Sequence, residues 1–105
     1  MSNAIVVRYR TTPESAAENE RLVRDVYAEL ADKAPEGFHY LTVRLDDGVS
    51  FVHLAVHDDG ADNPLPATDA FTRFQAELAS RLTDGPIAAP ATVVGTYGIS
   101  ANPTG

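Results

Sequence analysis

The stretch that most constrains this chain is residues 38–58, FHYLTVRLDDGVSFVHLAVHD, where two apolar-rich runs flank Asp47-Gly48. Asp-Gly between alternating runs is a strong hairpin signal, because a type I′ turn needs positive φ at both central residues. With that pair as the turn, the register follows. Leu45 faces Ser50, Arg44 faces Phe51, Thr42 faces His53, Tyr40 faces Ala55 and Phe38 faces His57. Side chains alternate across a strand, so the hairpin has two faces. Leu41, Val43, Leu45, Val52, Leu54 and Val56 make one almost wholly aliphatic face. Phe38, Tyr40, Thr42, Arg44, Phe51, His53, Ala55 and His57 make the other, which is aromatic and polar together. The aliphatic face is the expected seat for helices.

The flanking sequence supplies the remaining elements. Residues 4–11 (AIVVRYRT) are rich in β-branched and aromatic types and predict a strand, with Ile5, Val7 and Tyr9 on one face and Val6, Arg8 and Arg10 on the other. Thr12-Pro13-Glu14 starts a helix, with a capping hydroxyl, a proline where no donor is needed and an acid at the positive end of the dipole. That helix runs to about Ala34, with Ala16, Val23, Val26, Tyr27, Leu30 and Ala34 as its buried stripe, and Pro35-Glu36-Gly37 ends it. Residues 58–67 form a loop whose acids lack calcium-loop spacing. Thr68 or Asp69 caps a second helix through about Leu82, with Phe71, Phe74, Leu78 and Leu82 on its apolar stripe. Residues 87–91 read as a connector, and residues 92–99 (TVVGTYGI) as the last strand, with Gly95 and Gly98 suggesting close backbone approach or a bulge.

The order is therefore βαββαβ in one domain spanning residues 1–105. It predicts an α+β, ferredoxin-like fold, a four-stranded antiparallel sheet with two helices on one face. Two helices of this length cover only one sheet face, so the aromatic–polar face is expected to lie open and to meet a second copy in a homodimer. The net charge of −7 argues against nucleic acid and anionic membranes as partners. No apolar run approaches the roughly 20 residues of a membrane span, and no basic-then-apolar leader is evident. Cysteine is absent, which removes thiolate ligands and thiol nucleophiles and fits a cytoplasmic location.

The strand order, the first strand IVVRYRT, the pair around LDDGVSFVHLAV, the helix FTRFQAEL and the closing VVGTYG resemble the dimeric α+β barrel superfamily. Within it, the antibiotic-biosynthesis-monooxygenase-like group of small bacterial proteins is most similar, over residues 5–98. The resemblance implies a homodimeric α+β barrel with a pocket between sheet and helices or inside the barrel. It also implies oxygenation of a small aromatic or polyketide-like compound without any cofactor, or a related isomerisation or cyclisation. The chain departs from the oxygenases in having no tryptophan and no asparagine in the first strand, types that recur in their pockets. The alternative is a non-catalytic binding or structural module.

His53, mid-strand on the aromatic–polar face, is the candidate catalytic base, because imidazole exchanges protons near neutrality. The competing reading is a histidine held by Thr42 or a tyrosine. Arg8, Tyr40, Thr42, Phe51 and His57 are candidate substrate-binding residues: arginine for a carboxylate or phenolate, tyrosine and threonine for hydrogen bonds, the rings for stacking. Tyr97 joins them only if the phase of the last strand allows. No metal site is expected, since His53 and His57 lie about 13 Å apart along a strand and His39 points to the other face.

Overall fold

The computed structural model describes residues 3–58, 60–61 and 63–98. Its elements are β1 (Asn3–Thr11), a 3₁₀ turn (Pro13–Ser15), α1 (Ala16–Lys33), β2 (Phe38–Arg44), β3 (Ser50–His57), a second 3₁₀ turn (Leu65–Ala67), α2 (Asp69–Ala76), α3 (Leu78–Arg81) and β4 (Leu82–Ala91). The strands form one antiparallel sheet in the order β2-β3-β1-β4. This is the ferredoxin-like α+β fold.

The hairpin register is the expected one, from Phe38 opposite His57 to Arg44 opposite Phe51. The turn itself differs. Gly48 N–H donates to the Leu45 carbonyl at 2.9 Å, and Leu45 N–H to the Ser50 carbonyl at 2.9 Å. The turn thus spans 45–48, and within the loop only Gly48 has positive φ, at 79°. It is not a two-residue type I′ turn. The register survives because both loops are centred on the Asp47–Gly48 bond. The Asp47 carboxylate closes the loop by accepting from Val49 N–H and from both donors of Ser50, which holds it down at about 2.

The helix ends follow the capping chemistry. Thr12 Oγ1 accepts from Ser15 N–H at 3.2 Å, and Thr68 Oγ1 from Phe71 N–H at 3.2 Å. Ala34 closes α1 in the left-handed region at φ 46°, its N–H donating to the Leu30 carbonyl. Glu29 ties the helices together: it accepts from Ala70 N–H at 2.8 Å and Asp69 N–H at 3.2 Å at the start of α2, and pairs with Lys33.

The C-terminal elements lie earlier than expected. α2 stops at Ala76 rather than reaching Leu82, and β4 takes up the residues read as a connector. Gly85, Pro86 and Pro90 look like strand breakers. On an edge strand, however, a missing N–H costs no ladder bond. Gly85 sits at φ 85° where the register with β1 shifts between Arg8 and Arg10, and a Cβ there would stand 2.9 Å from the Arg8 carbonyl oxygen. The bulge is at Gly85, not at Gly95 or Gly98. Residues 92–98, the described part of the expected last strand, lie beyond the sheet, with Tyr97 98% exposed.

The two faces of the hairpin are reversed from the expectation. The helices cover the aromatic–polar face, and the buried core is built from Tyr9 and Phe51 of the sheet with Val23, Val26, Leu65, Ala70 and Phe74 above them. The aliphatic face is the open one, with Leu41 46%, Val43 41% and Ile87 48% exposed. Two features of the helices account for this. Their inner stripe carries Asn19, itself bonded by Arg81, and Tyr27, and these two polar groups find polar partners on the sheet in Tyr9 and Thr42. The large rings of Tyr9, Tyr40 and Phe51 also fill a sheet-to-helix gap that short aliphatic side chains leave empty.

Candidate functional site

His53 lies at the middle of β3, beneath α1 and α2, and is only 5% exposed. Register places Val7 of β1 on one side of it and Thr42 of β2 on the other. Both ring nitrogens are engaged. Nε2 is 2.8 Å from the Tyr9 hydroxyl, while Nδ1 is 2.7 Å from the Tyr40 hydroxyl and 3.2 Å from Thr42 Oγ1. The hydrogen bonds continue in both directions. Thr42 Oγ1 meets the Tyr27 hydroxyl at 2.9 Å. The Tyr9 hydroxyl accepts from Asn19 Nδ2 at 2.9 Å, and Asn19 Oδ1 accepts from Arg81 Nε at 3.0 Å. Arg81 also donates through Nη2 to the Phe74 carbonyl at 2.7 Å and lies over the Phe74 ring. Its guanidinium is buried, and among the described residues no carboxylate pairs with it.

Burial sets the protonation states. It pushes His53 down to about 4, so the imidazole is neutral across the neutral range. It pushes the Tyr9 phenol up to about 12, partly offset by the Asn19 hydrogen bond and the Arg81 charge. Tyr40 is raised by the same desolvation, and Tyr27 is raised more than its bond to Thr42 lowers it. An imidazole with so low a pKa is a weak base, and neither nitrogen is free of a partner.

The network reaches the surface at a cleft of about 610 Å³ between α1 and the β2–β3 hairpin. Tyr27, Thr42 and Phe51 form its inner wall, and Glu20, Arg24 and Arg44 its rim. Arg44 bonds Glu20 at 3.0 Å, and Arg24 holds the same carboxylate at 2.9 Å, which lowers the Glu20 pKa. The opening is thus ringed by an internally paired charge cluster, with an apolar wall and two hydroxyls within.

The sequence-predicted residues divide accordingly. His53, Tyr40 and Thr42 come together in direct contact, and Thr42 and Phe51 line the cleft. Phe51 is at the same time a core ring, stacked on Tyr9 at 5.5 Å. His57 shares the face but sits at the far end of β3, with Nδ1 buried and without a partner among the described residues. Arg8 is not in this site. It pairs with Val52 and Ile87 on the open face, so the sheet itself separates it from His53 and Tyr40. Tyr97 points into solvent. The expected acidic loop falls partly outside the described residues, at Asp59 and Asp62.

Sequence reasoning missed Asn19 and Arg81. Asn19 carries a legible signal, since it stands four residues before Val23 in an otherwise apolar stripe. Arg81 carries none, because its burial depends on long-range bonds to Asn19 of α1 and to the Phe74 carbonyl of α2.

Comparison with known proteins places this architecture. No family model matches the sequence, and no curated protein matches it. Solved structures do match. A conserved protein from Methanosarcina mazei Go1 superposes with a TM-score of 0.70 at 17% identity, over 87% of this chain and 91% of that one. A "putative antibiotic biosynthesis monooxygenase" from Caulobacter crescentus superposes with a TM-score of 0.69 at 22% identity, over 90% and 91%. A variant of SnoaB, a cofactor-independent oxygenase from Streptomyces nogalater, superposes with a TM-score of 0.63 at 24% identity, over 92% and 97%. At these identities the likeness is one of fold: this chain has the fold of the antibiotic-biosynthesis-monooxygenase-like proteins.

Proposed function

We propose, from a fold shared with a cofactor-independent oxygenase, that this protein binds a small aromatic or polyketide-like compound in the Tyr27–Thr42–Phe51 cleft and oxygenates it without a cofactor. One observation carries the reading. The cleft's inner wall combines the half-buried Tyr27 ring with two hydroxyls, and those hydroxyls end a hydrogen-bonded chain through His53 to the buried Arg81. Such a wall packs a planar apolar body and meets one polar oxygen on it. An electron-rich phenolate or enolate is the form that reacts with dioxygen, and preorganised hydrogen-bond donors favour that form.

The working unit we propose is a homodimer formed through the open sheet face. Leu41, Val43 and Ile87 are large apolar side chains on an uncovered sheet, a surface that soluble proteins bury against a partner. Face-to-face sheet packing suits short aliphatic side chains.

The test is oxygen uptake with a panel of phenols, quinols and polycyclic phenols, followed by the mass of the product. Gain of an oxygen atom by the wild-type protein and its loss in His53→Ala and Thr42→Val support the reading. Binding with no oxygen uptake by any member of the panel refutes it in favour of the second reading, a non-catalytic binding module. That alternative has its own support: His53 is neutral, weakly basic and fully engaged, so no free base stands ready in the site.

A further inference from the structure

We propose that Arg81 and Asn19 act through Tyr9 to hold His53 in its Nδ1–H tautomer, and that this turns the cleft's hydroxyl wall into a hydrogen-bond donor surface for an anionic or carbonyl oxygen. The inference rests on reading the Tyr27–Thr42 cleft as a ligand site. It goes further by naming the ligand's chemistry and two positioning residues.

The orientation of the chain follows from donor and acceptor identities. A guanidinium has donors and no acceptor. Arg81 Nε therefore donates to Asn19 Oδ1, and the amide is fixed with Nδ2 toward Tyr9. Nδ2 donates to the Tyr9 oxygen. The Tyr9 hydrogen then has one place to go, because its hydroxyl meets only Asn19 and His53 among the described residues. It goes to His53 Nε2, which must be the bare nitrogen. The ring hydrogen sits on Nδ1 and points toward Tyr40 and Thr42.

On the cleft side the opposite tautomer looks better satisfied. With Nδ1 bare, Tyr40 and Thr42 both donate to it and Tyr27 donates to Thr42, so every hydroxyl hydrogen has an acceptor. That arrangement strands the Tyr9 hydrogen, however, at a residue 4% exposed. A buried, unpaired donor carries its full desolvation penalty. The Nδ1–H tautomer moves the surplus to the half-buried side: the Tyr40 hydroxyl, accepting from Nδ1, turns its own hydrogen to water, and a hydrogen of the Tyr27–Thr42 pair faces the cleft and meets water or a ligand. All donors then run outward from a buried cation, and the cleft presents hydroxyl hydrogens in place of lone pairs. It selects an oxygen that accepts: a phenolate, an enolate or a carbonyl. The charges at the rim do not oppose this, since Glu20 is bonded by both Arg24 and Arg44.

The test has two arms. With ¹⁵N-labelled histidine, a long-range proton–nitrogen correlation spectrum shows which ring nitrogen of His53 carries hydrogen, and His53→Gln identifies its signals among the three histidines. The expected result is Nδ1–H in the wild type and Nε2–H in Asn19→Asp. The near-isosteric carboxylate stays paired with Arg81 but accepts the Tyr9 hydrogen, which reverses the chain. Nε2–H in the wild type, or Nδ1–H in a folded Asn19→Asp, overturns the relay. In the second arm the probe is 4-nitrophenol, whose ionisation is visible. Bound to the wild type it should ionise about one pH unit lower than when free, as hydrogen-bond donation to an anion requires. In Asn19→Asp that lowering should vanish, and in Tyr27→Phe and Thr42→Val binding should weaken about tenfold. Dye bound with its ionisation unshifted overturns the donor surface. Dye binding unaffected by Tyr27→Phe and Thr42→Val overturns the cleft reading itself, a result separable from the spectrum, which needs no ligand.

Discussion

Removing the Tyr9 hydroxyl is the sharpest probe of the buried network. Tyr9→Phe keeps the ring stacked on Phe51 and deletes the one oxygen that joins Asn19 to His53. Two hydrogen bonds disappear, of 2.8 and 2.9 Å, each worth about 1 kcal/mol net. Asn19 Nδ2–H and His53 Nε2 also lose their partners inside the core, and an orphaned buried polar group costs about 1–3 kcal/mol. Part of this is recovered because the phenol itself no longer has to be desolvated. The expected loss is about 2–4 kcal/mol. With a urea slope near 1–2 kcal/mol per molar, the midpoint should fall by about 2 M at unchanged slope. Tyr27→Phe is the control. It removes a single bond to Thr42, whose hydroxyl keeps His53 and borders the cleft, so its cost should be about 0.5–1 kcal/mol. Urea titrations at one fixed protein concentration keep any association from shifting the comparison. If Tyr9→Phe costs no more than Tyr27→Phe, the network is not the connected, buried structure described above.

Three further outcomes test the rest of the description. His53 is held at about 4 in the folded protein against about 6.5 unfolded, so below 6.5 the unfolded chain binds the extra proton. Its contribution is fully present above pH 6.5, is lost as pH falls toward 4, and totals roughly 3 kcal/mol; His53→Gln should show a flatter stability profile over that window, and an imidazole titrating near 6.5 by NMR would contradict it. Gly85→Ala should cost about 2–4 kcal/mol, since a side chain at φ 85° would press on the Arg8 carbonyl and Tyr9, whereas Gly60→Ala, at φ 82° with nothing near, should cost about 1 kcal/mol by urea unfolding. Val43→Glu on the open sheet face should leave the fold intact by circular dichroism and convert a wild-type dimer to a monomer by light scattering; a monomeric wild type at micromolar concentration removes the dimer from the proposal.

Much of the architecture was legible before any coordinates. The hairpin register was determined locally, because Asp47-Gly48 centres the loop whichever turn closes it. The start of the 3₁₀ turn that leads into α1 and the start of α2 were determined by Thr12 and Thr68, whose hydroxyls have their partners within three residues. The strand and helix order, and with it the ferredoxin-like fold, followed from periodicity. So did the grouping of Tyr40, Thr42 and His53, since residues that face one another across a hairpin stay together wherever the hairpin packs.

Only the tertiary structure decided which face of the sheet the helices cover. Side-chain alternation sorts residues into two faces but does not say which is inside. That depended on polar groups arriving from α1 and α3: Asn19 meets Tyr9, and Arg81 meets Asn19, only once the helices are docked. The pairing of β1 with β3, which sets Val7 and not Arg8 opposite His53, separated Arg8 from His53 by the thickness of the sheet. Pairing with β1 placed β4 on residues that look like breakers, because an edge strand tolerates prolines and a bulge accepts a glycine pressed against its neighbour. Local chemistry determined what the pieces are and how neighbouring pieces pair. The contacts between distant pieces, each satisfying a polar group or a volume the other leaves open, decided where the site is.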